Sequence, residues 1–171
     1  MDIKIDKILY ATDLSKNSAY AFRYAVDCAE KNHAKIIILH VREDFSATTK
    51  MLMTSYLNEE QIKKLHAESE DYTHERIKKR LKVLCEKELK SEIELTDMIE
   101  GIKVKEGFPA EIILQSADEL DVDLIIMGTN SKGFIENTFL GSTAKRVLRR
   151  THKPIFIVPI PRGEIDISVP E

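Results

Sequence analysis

A loop with glycine and hydroxyl side chains is the part of this sequence best suited to bind an anion. It begins after an apolar segment with Gly128-Thr129-Asn130-Ser131-Lys132-Gly133 and leads to Gly141-Ser142-Thr143, which has the composition of a helix start. Glycine lets a ligand approach the backbone closely, and the free amide hydrogens of a helix N-terminus attract phosphate. A simple turn followed by a helix cap explains the same residues, so the loop alone leaves both interpretations open.

Two further segments are expected to meet this loop. Ala11-Thr12-Asp13 ends the first apolar run of the chain, and Val41 ends the second. Ligands of open α/β sheets bind at the carboxyl ends of the strands. We therefore predict one site that combines these residues with Met127 and the loop after it. Asp13 has a second interpretation as a cap of the following helix.

Apolar runs alternate with amphipathic segments along the chain. Strands are predicted at residues 7–11, 35–41, 102–105, 122–127 and 155–158. Helices are predicted after residue 15, from Asn58 to about residue 90, from Pro109 and from Gly141, whereas residues 42–57 read as irregular. Run 35–41 lacks polar alternation, which is typical of a strand buried on both faces. The order predicts a single-domain, three-layer α/β/α fold with a five-stranded, mainly parallel sheet.

The helical periodicity also predicts which side chains face the core. Asn58 and Gln61 have the spacing of a capping box at the start of the long helix. The expected inward positions recur at three- and four-residue steps. They are Ala19, Phe22, Val26 and Ala29 in the first helix, Ile62, Leu65, Tyr72, Ile77, Leu81 and Leu84 in the long helix, and Ala144, Val147 and Leu148 in the last helix.

Composition excludes several classes of protein. The chain has 171 residues, 43% of them hydrophobic and 32% charged, which indicates a globular domain with its own core. A net charge of -3 argues against nucleic acid as a partner. No apolar run is long enough to span a membrane, and no signal peptide is visible, so we expect a cytoplasmic protein. Cys28 and Cys85 lack the spacing of a metal or redox motif and are expected to be reduced and buried.

Several segments together resemble the universal stress protein family. Residues 7–15 are similar to its opening strand and turn, and Gly107-Phe108-Pro109-Ala110 followed by Ile113 is similar to its Gly-x-Pro-Ala-x-x-Ile signature. Residues 123–129 resemble the strand before its nucleotide loop. Gly141-Ser142-Thr143-Ala144 and residues 153–159 resemble its closing helix and strand. The resemblance covers about residues 3–160 and implies a Rossmann-like fold of the adenine nucleotide alpha hydrolase type, in a domain of residues 1–161 with a tail at 162–171.

The resemblance also implies a ligand, which is ATP or AMP, with Mg²⁺ held through the phosphates if present. Val41 would bind the adenine through its backbone, with Ala11, Thr12 and Asp13 at the adenosine end. The ribose and phosphates would lie against the residues of the loop and helix start: Met127, Gly128, Thr129, Asn130, Ser131, Lys132, Gly133, Gly141, Ser142 and Thr143. ATP-binding members carry Gly-x-x-Gly, nine residues, then Gly-Ser/Thr. Here Ser131 replaces the second glycine, and Gly133 comes two positions later.

Three functions stay open on the sequence. The first is a nucleotide-dependent stress or signalling module, which would present a changed surface to an unknown protein partner. The second, favoured by Ser131, is a dimeric interaction module of the same fold without a nucleotide. The third is a weak ATP hydrolase, for which Asp13 is the only visible base. The resemblance implies a homodimer through residues 155–158.

Three other patterns lead to weaker hypotheses. His66, Glu70 and His74 share one helix face and could bind zinc, although the charged residues around them indicate a solvated surface. The apolar stretch from Met51 to Leu57 could be a lid, a partner surface or a segment packed on its own domain. The period-two pattern of Ile165, Ile167 and Val169 could add a strand to a partner subunit.

Overall fold

The computed structural model describes residues 3–43, 47–88, 97–129 and 140–159. The five strands are β1 (Lys7–Thr12), β2 (Lys35–Arg42), β3 (Ile99–Glu106), β4 (Leu124–Gly128) and β5 (Ile155–Val158). The helices are α1 (Lys16–Asn32), α2 (Ala47–Tyr56), α3 (Glu59–Glu88), α4 (Pro109–Glu119) and α5 (Ser142–Arg150).

The strands form one sheet in the order β3-β2-β1-β4-β5, and all four pairings are parallel. The predicted five-stranded α/β fold is confirmed. The chain first moves outward from β1 to β3 and then returns to the other side of β1 for β4. The switch point therefore lies between β1 and β4, where a crevice opens at the carboxyl ends of the strands.

The core has one layer on each face of the sheet. Side chains of β1 alternate between the layers, with Ile8 and Tyr10 on the α1 side and Leu9 and Ala11 on the side of α4 and α5. Ala19, Phe22, Val26 and Ala29 of α1 are all buried, as their spacing predicts. Ala144 and Val147 of α5 are also buried. The three-layer α/β/α arrangement follows from these two clusters.

The sequence prediction is wrong for residues 47–56, which form α2 rather than an irregular stretch. The segment contains no glycine or proline to break a helix, and it packs against α3. Its apolar side chains do not enter the core, since Met51 and Tyr56 are 72% and 83% exposed.

Two predicted inward faces are also partly wrong. Leu65 and Tyr72 of α3 are exposed, and in the described part of that helix only Thr73 and Ile77 have buried side chains. The reason is that α3 packs at the edge of the sheet, against β3, so only a narrow stripe of it is covered. Leu148 of α5 is 48% exposed. The capping box of α3 is confirmed, because the side chains of Asn58 and Gln61 each accept a hydrogen bond from the other's backbone amide, at 2.8 and 2.9 Å respectively.

Within the described ranges, no helix has the length and apolar character needed to cross a bilayer. Cys28 is half-buried in α1, and burial is the main cause that raises the pKa of its thiol. The side chain of Cys85 and the tail at 162–171 lie outside the described parts, so the predictions for them stay predictions.

Candidate functional site

The carboxyl ends of β1, β2 and β4 enclose a cavity of about 350 Å³. Its floor and walls are apolar, and its rim carries hydroxyl and charged groups. The residues that line it are Ala11, Thr12, Asp13, Ser18, Leu39, His40, Val41, Arg42, Glu43, Pro109, Ile113, Met127, Gly128, Thr129, Gly141, Ser142, Thr143 and Ala144. An apolar cleft with a few convergent polar groups is the usual form of a small-molecule site.

Ten of the residues that the sequence predicts for the site line this cavity. They are Ala11, Thr12, Asp13, Val41, Met127, Gly128, Thr129, Gly141, Ser142 and Thr143. The other four, Asn130, Ser131, Lys132 and Gly133, lie outside the described residues. The structure thus brings three distant segments to one cleft, while what they bind stays a prediction.

The N-terminus of α5 borders the cavity without a side-chain cap. Gly141 occupies the N-cap position with an extended backbone and makes no side-chain hydrogen bond. Its own amide donates to the Thr129 carbonyl oxygen at 2.7 Å, which joins the helix start to the end of β4. The first amide hydrogens of a helix have no partner within it. In the described chain, those of Ser142, Thr143 and Ala144 have no protein acceptor, so they can serve a ligand.

The N-terminus of α1 borders the same cavity but is closed by its own residues. Ser15 caps the helix, with its Oγ accepting from the Ser18 amide at 3.1 Å. Asp13 supports this cap, because its Oδ1 accepts from both the amide and the hydroxyl of Ser15 at 3.0 and 2.6 Å. The Thr12 Oγ1 atom lies 2.9 Å from the Ser18 Oγ atom. Asp13 is therefore part of the turn that positions α1, while the helix cap itself is Ser15 rather than Asp13.

Leu14 completes this turn with a left-handed backbone, φ 62°. Leucine is rarely found in that conformation, so the surrounding contacts must hold Leu14 there. One such contact is the hydrogen bond from the Leu14 amide to the Thr12 Oγ1 atom at 3.1 Å. The turn after β1 is thus fixed by side-chain hydrogen bonds, and it brings Thr12 and Asp13 to the cavity.

His40 joins the ends of β1 and β2 at the cavity. Its Nδ1 lies 2.8 Å from the Thr12 carbonyl oxygen. Because a carbonyl oxygen only accepts, Nδ1 carries the hydrogen and Nε2 is left as an acceptor. Burial is the main cause that lowers the pKa of His40. The hydrogen bond to Thr12 and the charge of Asp13 oppose this shift, whereas the charges of Arg42 and Arg76 add to it.

Sequence reasoning missed several residues of the lining, among them Ser18, Pro109 and Ile113. Pro109 could have been found, since it begins the helix that follows β3 and so lies at the same edge of the sheet. Arg42 and Glu43 directly follow Val41 and so belong to a segment that the sequence predicts at this edge, although neither was named as a site residue. Ser18 and Ile113 are helical residues, and no local pattern distinguishes them from ordinary core positions.

The proposed zinc face of α3 is used differently. The His66 Nδ1 atom lies 3.2 Å from the Glu106 Oε2 atom, and the His74 Nε2 atom lies 3.3 Å from the Ile102 carbonyl oxygen. Both rings face β3 as separate contacts. Within the described chain, no three histidine, cysteine or acidic side chains are grouped as metal ligands.

The fold and the cleft define a class, the Rossmann-like α/β domains that bind ligands at a topological switch point. The model of the universal stress protein family matches residues 4–159. The chain therefore belongs to the universal stress protein family.

Individual relatives agree with this assignment. The universal stress protein MJ0577 of Methanocaldococcus jannaschii is 28% identical over 162 residues, which cover 92% of this chain and 97% of the relative. A solved structure of MJ0577 aligns with a TM-score of 0.69 and 25% identity, and the alignment covers 94% of this chain and 100% of the MJ0577 chain. A universal stress protein solved in complex with cAMP has the same fold, with a TM-score of 0.53 and 20% identity. The alignment with that protein covers 91% of this chain and 98% of its own.

Proposed function

We propose that the cavity binds an adenine nucleotide, ATP or AMP, and that the protein acts as a nucleotide-dependent module in the stress response. One observation carries the proposal: an uncapped helix N-terminus meets an apolar crevice at the switch point of the sheet. The amides of Ser142, Thr143 and Ala144 favour an anion at one end. The apolar walls from Leu39, Ile113 and Met127 suit a planar base.

The orientation we propose has adenine beside Val41 and phosphates at the start of α5. Val41 and Ala11 end neighbouring strands, whereas Gly141 lies beyond β4 on the other side of β1. A nucleotide would therefore lie across the switch point. A universal stress protein with this fold was solved in complex with cAMP, which supports an adenine nucleotide as the class of ligand. The role of Ser131 in the loop stays a prediction.

We propose storage or sensing of the nucleotide, with hydrolysis at most slow. Asp13 and Glu43 are the carboxylates of the described lining. The Asp13 Oδ1 atom accepts two hydrogen bonds from Ser15, which makes that oxygen less available to take a proton from water. Mg²⁺, if it takes part, would be held through the phosphates. Cytoplasmic localisation stays a prediction.

The decisive experiment measures binding by isothermal titration calorimetry, with ATP, AMP and adenosine as ligands. Gly141→Asp places a negative charge at the start of α5, and Gly141→Asn is its neutral control of the same shape. Because helix N-termini favour phosphate and an added carboxylate repels it, we expect Gly141→Asp to bind ATP about tenfold more weakly than Gly141→Asn. Adenosine has no phosphate, so its affinity is expected to be equal in the two variants.

Failure of the unmodified chain to bind ATP or AMP at millimolar concentration, with no nucleotide in native mass spectra of the purified protein, would falsify the proposal. If ATP binds but the Asp and Asn variants are equal, the nucleotide binds in another orientation. ATP turnover by the unmodified chain at ordinary enzymatic rates would favour the hydrolase interpretation.

A homodimer through β5 is a second proposal, and it also supports the alternative of an interaction module without nucleotide. β5 pairs with β4 on one side only, and in the described chain its other edge has no strand beside it. An uncovered apolar edge strand tends to pair with another chain. Phe156 of β5 is 42% exposed and contacts Tyr24 edge-on, with ring centroids 5.8 Å apart.

Light scattering after size exclusion tests this proposal. Phe156→Lys is expected to shift a dimer to monomer, whereas Leu148→Lys, which changes an exposed leucine of α5, is expected to leave it intact. A monomeric unmodified chain at every concentration would exclude the dimer.

A further inference from the structure

Arg42 connects the rim of the cavity to helix α3. Its Nη1 donates to the Ser69 Oγ atom of α3 at 2.6 Å, and its Nη2 lies 3.8 Å from the Glu106 Oε2 atom of β3. The same residue lines the cavity at the end of β2. We propose that Arg42 is a positioning residue that couples occupancy of the cavity to the attachment of α3. This inference rests on the proposed function for the identity of the ligand.

The attachment of α3 to the sheet depends on few contacts. In its described part, Thr73 and Ile77 are the buried side chains, and Leu65 and Tyr72 are exposed. Regions with little buried apolar surface open locally at a low free-energy cost. In this part of α3, the polar contact of Arg42 with Ser69 acts beside those of His66 with Glu106 and of His74 with Ile102. Local opening of α3 should respond measurably to their loss.

Glu106 gathers these polar contacts at the end of β3. Its Oε2 atom faces both Arg42 and the His66 Nδ1 atom, the latter at 3.2 Å. The side chains of Arg42 and Glu106 are 20% and 28% exposed, so water screens the pair only in part. The buried Nε of Arg42 has no acceptor among the described residues. This arrangement holds α3 but leaves one donor unsatisfied, so its stability is limited.

The backbone of Arg42 links the same contacts to the cavity wall. The Gly107 amide donates to the Arg42 carbonyl oxygen at 3.0 Å. Gly107 is followed by Phe108, the N-cap of α4, and by Pro109, which lines the cavity. A ligand that fills the cavity contacts Arg42 on one strand and Pro109 on the next segment. It therefore favours the arrangement in which the two are joined, with the Arg42 guanidinium directed to Ser69.

Coupling of this kind is reciprocal. If ligand binding favours the attached state of α3 by some factor, then loss of the attachment must lower the affinity for the ligand by the same factor. The motion of the outer face of α2 and α3 is then expected to differ between the empty and the occupied cavity. This face exposes Met51, Leu52, Tyr56, Leu65 and Tyr72.

Hydrogen–deuterium exchange measured by mass spectrometry tests the coupling on peptides from residues 60–79. Ser69→Ala removes the acceptor for Arg42 at an exposed helix position, and Ser69→Thr restores a hydroxyl. Glu75→Gln is the matched control, since Glu75 pairs along the helix with Lys78 at 2.9 Å. Without ligand, Ser69→Ala is expected to exchange severalfold faster than the unmodified chain, while Ser69→Thr and Glu75→Gln are expected to be unchanged.

Saturating ATP is expected to slow exchange in this segment about fivefold or more in the unmodified chain and less in Ser69→Ala. Calorimetry should show weaker ATP binding for Ser69→Ala by a similar factor. A merely structural role of Arg42 would change exchange without changing the ATP-dependent difference or the affinity. If ATP binds and α3 exchanges equally with and without it, the coupling is refuted while the proposed function stands. Absence of any ATP binding refutes the proposed function, and the coupling with it.

Discussion

Two helices begin at the same cavity, and their N-termini are built in opposite ways. In α1, Ser15 accepts from the Ser18 amide, and Asp13 in turn holds Ser15. In α5, Gly141 offers no side-chain acceptor, and the first amides of the helix remain available to a ligand. Both ends carry the same partial positive charge. Local capping, and not the helix dipole alone, therefore determines which of the two helix N-termini has amides available for a phosphate.

The largest effect is expected when α5 is given the cap that α1 has. Gly141→Ser supplies a hydroxyl that accepts from the free amides of its own helix, so the ligand loses those donors. ATP affinity should fall about tenfold, which corresponds to the loss of about one hydrogen bond to a charged group. Thermal stability should stay equal or rise slightly.

Calorimetry and thermal unfolding measured side by side decide this case. A drop in stability together with affinity would mean that the variant had damaged the fold, and Gly141→Ala, which adds no acceptor, controls for backbone effects. Undiminished ATP binding in Gly141→Ser would show that the amides of α5 do not contact the ligand.

At α1, removal of the cap is expected to have a smaller effect, and to lower the stability of the fold rather than the affinity for ATP. Ser15→Ala removes an N-cap, which typically costs about 1 kcal/mol of the free energy of unfolding. For a chain of this length the midpoint of thermal unfolding should fall by about 2–4 °C. ATP affinity should change by less than about twofold, because this cap serves the protein. Ser15→Thr retains the hydroxyl and should behave as the unmodified chain. A large loss of ATP binding in Ser15→Ala would remove the distinction between the two helix starts.

The smallest effect concerns pH. His40 lies near the end of β2, with its Nδ1 atom 2.8 Å from the Thr12 carbonyl oxygen of β1, and its folded-state pKa is below the ordinary value of 6.5. Below pH 6.5 the unfolded chain binds a proton that the folded chain resists, so stability is lost as the pH falls from 6.5 through the folded-state pKa. His40→Asn should flatten this part of the curve of unfolding free energy against pH. His33→Asn, at an exposed position after α1, should not; an equal flattening there would mean that burial of His40 is not the cause.

The sequence predicts the core of the molecule well where a pattern repeats within one element. The three- and four-residue spacings predict the buried face of α1 and the capping box of α3, and the structure contains both. The same reasoning is wrong for Leu65 and Tyr72, because the width of a buried face depends on what lies opposite. Residues 47–56 form a helix that local pattern did not reveal, and its apolar side chains remain outside the core.

For the site, short segments next to predicted strands were enough to find ten of the lining residues. Ser18 and Ile113 could not be found in this way, since they reach the cavity from helices on opposite faces of the sheet. The contact of Arg42 with Ser69 joins residues 27 positions apart through the packing of α3 on the sheet edge.

By itself, the sequence determined the succession of strands and helices, the burial of the central strands and the segments that end at one edge of the sheet. These follow from the periodicity of apolar residues and from the rule that parallel strands end on the same side. Only the tertiary structure decided that β1 lies between β2 and β4, that α1 is capped while α5 is open, and that Arg42 reaches α3. Those features depend on contacts between residues that are distant in the sequence, and such contacts are determined by the packing of the whole chain rather than by any local pattern.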